Sequence, residues 1–449
     1  MKRFLILSLI LTVLLSGLYS CKPYSRLQLE QVTIVSRHGV RVPLLKYMND
    51  LDSIKSTDYS WPVWPVEGGH LSVRGSMLEY LSGEFFQGYL ESAGLNLSAS
   101  KSFFCASPKQ RTVETARAFA AGMFPHQTID VFYRGPRQFE PKYLDPQFLP
   151  LFNDWDYSGE FDQEAFQKEA RREMIEIARK AEEEAVGNLE FLSSTIGFAK
   201  SKYAECTKKT VLKWDIEDNI CLDFYKENGT GEMENQEPSF KKDSDFIRAN
   251  RASDALILQY YEQDDKVLKD TSTLNMTSNL EDDDWLRLAS IKDVYGDVLF
   301  TAPIVAVNVS HSMLGMIRSM MNDPAHSLNY VCTHDSSMAA LMAALQIEDY
   351  VLKETIERRT PIGFKLLFEK WSSCRESYVR VIMAYYSTNQ IRTSNPADVQ
   401  GAPIFVELGF NGIKRASNGL YRYDDFMRHI DKTLEAYDLT AQGKNPFEN

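Results

Sequence analysis

Three apolar strand patterns, each leading through charged or imidazole side chains into a helix, predict an α/β fold. The expected core is a mostly parallel, doubly wound sheet, with a mainly helical cap inserted into it. The strand patterns fall at residues 32–35, 103–106 and 328–332, and are rich in β-branched and aromatic residues without polar alternation. Between the second and the third, the chain turns to Glu- and Lys-rich helical runs with a single apolar side, which predicts the cap.

The chain has 449 residues, 44% hydrophobic and 25% charged, enough apolar material for a sizeable core. Its formal charge of −12 excludes a general nucleic-acid binder, which needs a cationic surface. Residues 1–21 have the pattern of an export signal: Lys2 and Arg3, then an apolar run over 4–15 too short for a membrane span. Leu18-Tyr19-Ser20-Cys21 resembles a bacterial lipoprotein cleavage box. Cys21 is then either the lipid-anchored first residue of a periplasm-facing or outer-membrane lipoprotein, or part of a simple secretion signal. Residues 22–144 form the first part of the α/β core, 145–284 the cap, and 285–449 the second part of the core.

In order along the chain, residues 32–35 are a strand that runs into Arg37, His38, Gly39, Arg41 and Pro43. The pattern R-H-G-x-R-x-P fixes five residues; at a usage of about 5% each, chance gives it once in such a chain with odds on the order of 10⁻⁴. A Pro/Gly/Trp loop follows over 60–71, and a helix over 72–94. The strand at 103–106 leads into Gln110-Arg111-Thr112 and an Ala-rich helix over 113–123. In the cap, helices are expected over 161–192 and 253–262, with a polar, loop-like stretch over 226–247. Cys206 and Cys221 flank a polar segment and are the expected disulfide, whereas Cys105 and Cys332 fit small buried strand residues. Helical pattern resumes over 285–321. The strand at 328–332 ends in Thr333-His334-Asp335, before a helix over 336–345. Residues 364–369 and 378–385 read as a hairpin forming an antiparallel edge, 405–408 as a further strand, and 423–436 as the closing helix.

These residues suit one chemistry. Ligands of open α/β sheets bind at the carboxyl ends of strands, and guanidinium forks match phosphate oxygens. Arg37, Arg41 and Arg111 can cradle a phosphoryl group, with His334 as a further donor. His38, between two arginines whose field favours a neutral imidazole, is the candidate nucleophile. Asp335 is the candidate proton donor to the leaving oxygen and the base for the water that follows. No C-x-x-C or H-E-x-x-H pattern occurs, so neither metal nor cofactor is expected; the arginines supply the positive charge.

Arg37-His38-Gly39-x-Arg41-x-Pro43, Gln110-Arg111-Thr112 and His334-Asp335 resemble the histidine acid phosphatase branch of the histidine phosphatase superfamily. Leu258-Gln259-Tyr260-Tyr261-Glu262 and Arg359-Thr360-Pro361-Ile362-Gly363 extend that resemblance over nearly the whole mature chain. It implies a phosphomonoesterase working through a phosphohistidine on His38, with a small sugar phosphate such as glucose 1-phosphate as substrate. Hydrolysis of inositol hexakisphosphate is the alternative. It further implies that Glu237, in Gln236-Glu237-Pro238, contacts the sugar. Thr333 stands where the resembling pattern has Gly. A phosphosugar mutase of the same superfamily and a non-catalytic phosphosugar binder fit less well, because the export signal and the His-Asp pair favour a hydrolase.

Overall fold

Strand β1 (Gln28–Arg37) runs through the middle of the sheet, because its apolar side chains are buried on both faces. Val32 and Ile34 pack into the cluster on one face and Val35 into that on the other. The computed structural model describes residues 27–60, 64, 66–134, 144–227, 231–264, 268, 275–373, 375–393 and 401–448. The export segment, Cys21, Trp61 and Cys374 lie outside the described residues.

After β1 come α1 (Leu45–Ile54), α2 (Val73–Ser92), β2 (Ser102–Ala106), α3 (Gln110–Met123) and β3 (Val131–Phe132). Then follow α4 (Gln163–Thr195), α5 (Lys202–Thr207), β4 (Ile220–Cys221), β5 (Tyr225–Glu227), β6 (Met233–Asn235), β7 (Ser239–Phe240) and α6 (Asp245–Glu262). The chain continues through α7 (Asp282–Phe300), α8 (Pro303–Asn322), β8 (Leu328–Thr333), α9 (Asp335–Ala344), β9 (Lys365–Ser372) and β10 (Ser377–Tyr385). It closes with α10 (Thr388–Arg392), β11 (Ile404–Glu407), β12 (Tyr421–Arg422), α11 (Tyr423–Glu435) and α12 (Tyr437–Thr440).

The main sheet has the order β11-β10-β9-β1-β8-β2-β3, with β12 also paired to β10. Strands β1, β8, β2 and β3 are mutually parallel. The antiparallel edge expected from the hairpin at 364–385 is present and extends to β11 and β12. Register is what matters for function: Arg37 stands beside Thr333, and Ala106 beside Cys332. The carboxyl ends of β1, β8 and β2 are therefore level, and the residues that follow them emerge together.

Helices α2 and α3 cross in close contact on one face. A Cβ on Gly83 would lie 2.0 Å from the Phe119 carbonyl oxygen, and one on Gly122 would lie 1.9 Å from that of Tyr80. Both neighbours are backbone, so neither can swing away. Gly83→Ala is expected to cost roughly 1–3 kcal/mol or more by overpacking. Thermal unfolding checks this, since a variant with unchanged melting temperature would show that the two helices separate freely.

Helices α4, α6 and α7 and the start of α8 share the largest apolar cluster. Three local features differ from the sequence expectation. First, α6 begins eight residues before 253. Ser244 caps it, accepting from the Ile247 N–H at 3.3 Å, while Asp215 accepts from the N–H groups of Asp245 and Phe246. Second, the helical run over 285–321 is two helices bent by 83°, since Pro303 has no N–H to continue α7 and instead opens α8. Third, the stretch over 226–247 is not simply loop: β5 pairs with β6, and β7 with β4.

The expected Cys206–Cys221 disulfide is corrected: both cysteines are free. The intervening segment is a packed connector, with Leu212, Ile216 and Ile220 buried in the core. Those anchors hold Cys206 exposed on α5 and Cys221 in β4, hydrogen-bonded to β7. Cys105 and Cys332 are buried strand residues, as expected.

Candidate active site

The level carboxyl ends of the three parallel strands carry the candidate residues. At β1, the His38 N–H donates to the Thr333 carbonyl at 3.0 Å, and at β2 the Ser107 N–H donates to the Cys332 carbonyl at 3.0 Å. The sheet ladder thus continues one residue past each strand and fixes the backbone of the site. Gly363, at φ +69°, donates its N–H to the His38 carbonyl at 3.2 Å. Gly39 donates to Thr115 Oγ1 at 3.0 Å.

His38 is 2% exposed. Its Nδ1 lies 2.9 Å from the Gly39 carbonyl oxygen. A carbonyl only accepts, so Nδ1 carries the hydrogen and Nε2 keeps its lone pair. Burial first, then the charges of Arg111, Arg41 and Arg37, hold the imidazole well below its ordinary pKa. The surroundings therefore favour the neutral, nucleophilic ring. His334 stands edge-on to it, ring centroids 5.6 Å apart.

The three arginines come from different places but converge. Arg41 pairs with Asp254 of α6 at 3.0 Å. Arg111, second residue of α3, places Nη2 3.3 Å from His334 Nδ1. Burial, then Arg41, lower its pKa to about 10. A cation at a helix start is disfavoured by the helix dipole, and a second cation nearby worsens this; an anion in front of the helix resolves both. The Nε atoms of Arg37, Arg41 and Arg111 are all buried without a partner among the described residues.

Arg37 is bound differently. Its Nη1 donates to Glu357 Oε1 at 2.7 Å and to the Thr360 carbonyl, and its Nη2 lies 3.3 Å from Asp335 Oδ2. Lys292 Nζ, from α7, lies 2.8 Å from the same Asp335 oxygen and 2.9 Å from Glu357 Oε1. Burial works to raise the Asp335 carboxyl, but Lys292 and Arg37 prevail and hold it well below the usual carboxylate range. His334 donates from Nε2 to Ser107 Oγ at 3.1 Å, which leaves Nδ1 to accept from Arg111. Burial and Arg111 keep that ring neutral too.

His38, Arg41, Arg111, Lys292, His334 and Asp335 line one cavity of about 270 Å³. Glu237 lines it as well, from the segment between β6 and β7. The Gln236 backbone fixes that segment through Phe224 and Phe152, at 2.9 Å each. Burial pushes the Glu237 carboxyl up to about 7, against the pull of Lys109 and Lys46. Asp293 and Asp297 add further carboxyls to the wall, and burial raises the first to about 7. Among the described residues no group of three or more His, Cys, Asp or Glu side chains could hold a metal ion.

The structure thus brings all seven sequence-derived residues to one place, with Arg37 immediately behind the cavity wall. It adds Lys292, Glu357 and Asp254, which sequence reasoning missed. Glu357 sits two residues before the Arg359-Thr360-Pro361-Ile362-Gly363 stretch, a signal that was available. Lys292 and Asp254 sit in helices, where a lone charge reads as solvated.

The model of the histidine phosphatase superfamily (branch 2) matches residues 28–384. The chain belongs to that family. It is 28% identical over 421 residues to a glucose-1-phosphatase of Providencia rettgeri, covering 91% of this chain and 92% of that protein. It is 24% identical over 431 residues to phytase AppA of Escherichia coli (strain K12), covering 90% and 92%. Among solved structures, the phytase of Hafnia alvei in complex with myo-inositol hexakis sulphate superposes with a TM-score of 0.72 at 20% identity, covering 92% of this chain and 98% of that one. This histidine phosphatase is a phosphoric monoester hydrolase.

Proposed function

We propose that this histidine phosphatase hydrolyses small sugar phosphates such as glucose 1-phosphate through a phosphohistidine on His38. The observation that carries the reading is the state of His38: Nδ1 committed to the Gly39 carbonyl, Nε2 free, and three arginines around it. The phosphoryl group sits among Arg37, Arg41 and Arg111, which neutralise its oxygens, while His334, neutral and committed to Ser107 and Arg111, holds Arg111 in place beside it. His38 Nε2 attacks phosphorus, the ester P–O bond breaks, and the leaving sugar oxygen takes a proton from Asp335. Water then attacks the phosphohistidine, gives a proton to the Asp335 carboxylate, and releases phosphate with His38 regenerated.

Asp335 is ionised in the free site, so its proton arrives with the substrate. A phosphate monoester has a second pKa of about 6 and enters below it as the protonated monoanion. Activity therefore belongs to the acid side: His38 stays neutral well below its ordinary value, while the substrate loses its proton above about pH 6. The carboxyls of Glu237 and Asp293, pushed up to about 7 and so protonated at acid pH, suit sugar hydroxyls and offer no cation to further phosphates, which favours a monophosphate over inositol hexakisphosphate. We infer that the segment over 145–284 acts as the cap that carries Glu237, and that the chain is exported.

Phosphate release from glucose 1-phosphate, glucose 6-phosphate and inositol hexakisphosphate at acid pH tests the reading. Glucose 1-phosphate is expected to lead, and Glu237→Ala to raise its KM about 10-fold with little change in kcat, as for one lost hydrogen bond to substrate. Preference for inositol hexakisphosphate would reassign the enzyme as a phytase on the same chemistry.

A further inference from the structure

Asp335 belongs to a closed ring of charge. Its Oδ2 meets Lys292 Nζ at 2.8 Å and Arg37 Nη2 at 3.3 Å. Glu357 Oε1 closes the figure, 2.9 Å from the same lysine and 2.7 Å from Arg37 Nη1. Two cations and two carboxylates alternate. The other carboxylate oxygens are committed too: Asp335 Oδ1 to the Ser336 N–H at 3.0 Å, and Glu357 Oε2 to the Ile362 N–H at 2.9 Å. In this ring Asp335 is well placed but has no oxygen free of a donor.

Arg37 has a second task, the phosphoryl oxygens, and a dianion is a stronger partner than a shared carboxylate. Lys292 has none in the chemistry above. It projects from α7, and its side chain is 12% exposed. We propose that Lys292 is a positioning residue for the acid: its ammonium fixes Asp335 Oδ2 toward the cavity and sets how far up in pH the enzyme–substrate complex retains the proton that the leaving oxygen needs. The inference rests on the reading of Asp335 as that acid.

Other charges face this pair from every side. Arg37 and His38 come from the end of β1, Arg111 from α3 and His334 from the turn before α9. Asp254 of α6 and Glu357 act on Lys292. Glu237 and Tyr47 of α1 lie within the field of Asp335. Of the two cations that touch Asp335, Lys292 is the nearer.

The test is the pH dependence of the first-turnover rate at saturating substrate, for the wild type, Lys292→Met and Lys292→Arg. Glucose 1-phosphate and an aryl phosphate serve as substrates. Removing a cation makes the shared proton harder to lose. The alkaline limb of Lys292→Met on glucose 1-phosphate is thus expected to move up by about one pH unit or more. The aryl phosphate, whose leaving oxygen needs no proton, is expected to show no such shift, and Lys292→Arg to restore the limb. A lysine that merely packs would lower the rate or the melting temperature and leave the limb in place; that result overturns the proposal. Lys292→Gln, which keeps a donor without charge, serves if the methionine variant does not fold. Asp335→Asn measured alongside separates the two ideas. Equal loss on both substrates removes Asp335 as the acid, whereas unequal loss with an unmoved limb in the Lys292 variants rejects the lysine's role alone.

Discussion

His38→Ala is expected to remove turnover on every phosphomonoester, by about 10⁴-fold or more, and to abolish the phosphoenzyme. The reason is that the other imidazole of the cavity cannot take its place. His334, the neighbouring imidazole, spends Nε2 on Ser107 and Nδ1 on Arg111. The arginines remain in the variant, so inorganic phosphate should still bind, and the loss should appear in kcat rather than in phosphate affinity. Intact mass after an alkaline quench reads the phosphohistidine directly. A folded His38→Ala protein that still turns over a sugar phosphate, or still gains a phosphoryl group, would sink the assignment.

What the sequence made legible follows from how the site is built. His38 and His334 each follow a buried strand directly, so a continuous apolar run and the polar residues after it can be read together. Arg111 lies a few residues past β2 and opens a helix, where its positive charge is conspicuous because the dipole opposes it. Lys292, Glu357 and Asp254 come from segments with no such context. Their significance is a relation between distant elements, Lys292 with Asp335 and Asp254 with Arg41, that only packing creates. The Cys206–Cys221 expectation failed for a similar reason. Leu212, Ile216 and Ile220 draw a polar-looking segment into the core, and separate its ends. The late reading of α6 has the same kind of cause, since its cap comes partly from Asp215, thirty residues earlier than Asp245.

Asp335→Asn is expected to slow the first turnover of glucose 1-phosphate by about 10²–10⁴-fold. The amide keeps the shape and can still accept from the Ser336 N–H, but it cannot protonate a sugar oxygen. An aryl phosphate, whose leaving group departs as the anion, should keep most of its first-turnover rate. Its second step should then fail, since water attack has lost its base, and the phosphohistidine should accumulate behind a burst of released phenol. The surrounding ring supports this role at working pH. Burial works against the Glu357 charge, but Arg37 and Lys292 prevail and hold its pKa at about 2. A folded value below the unfolded one means that Glu357 contributes stability fully above its unfolded value of about 4.5 and loses it only as pH falls toward 2. The ring therefore stays ionised at the acid pH where a protonated substrate enters, which suits the proposed role of Asp335 as the member that gains and yields a proton. Equal first-turnover losses on both substrates, with no burst, would reject Asp335 as both acid and base.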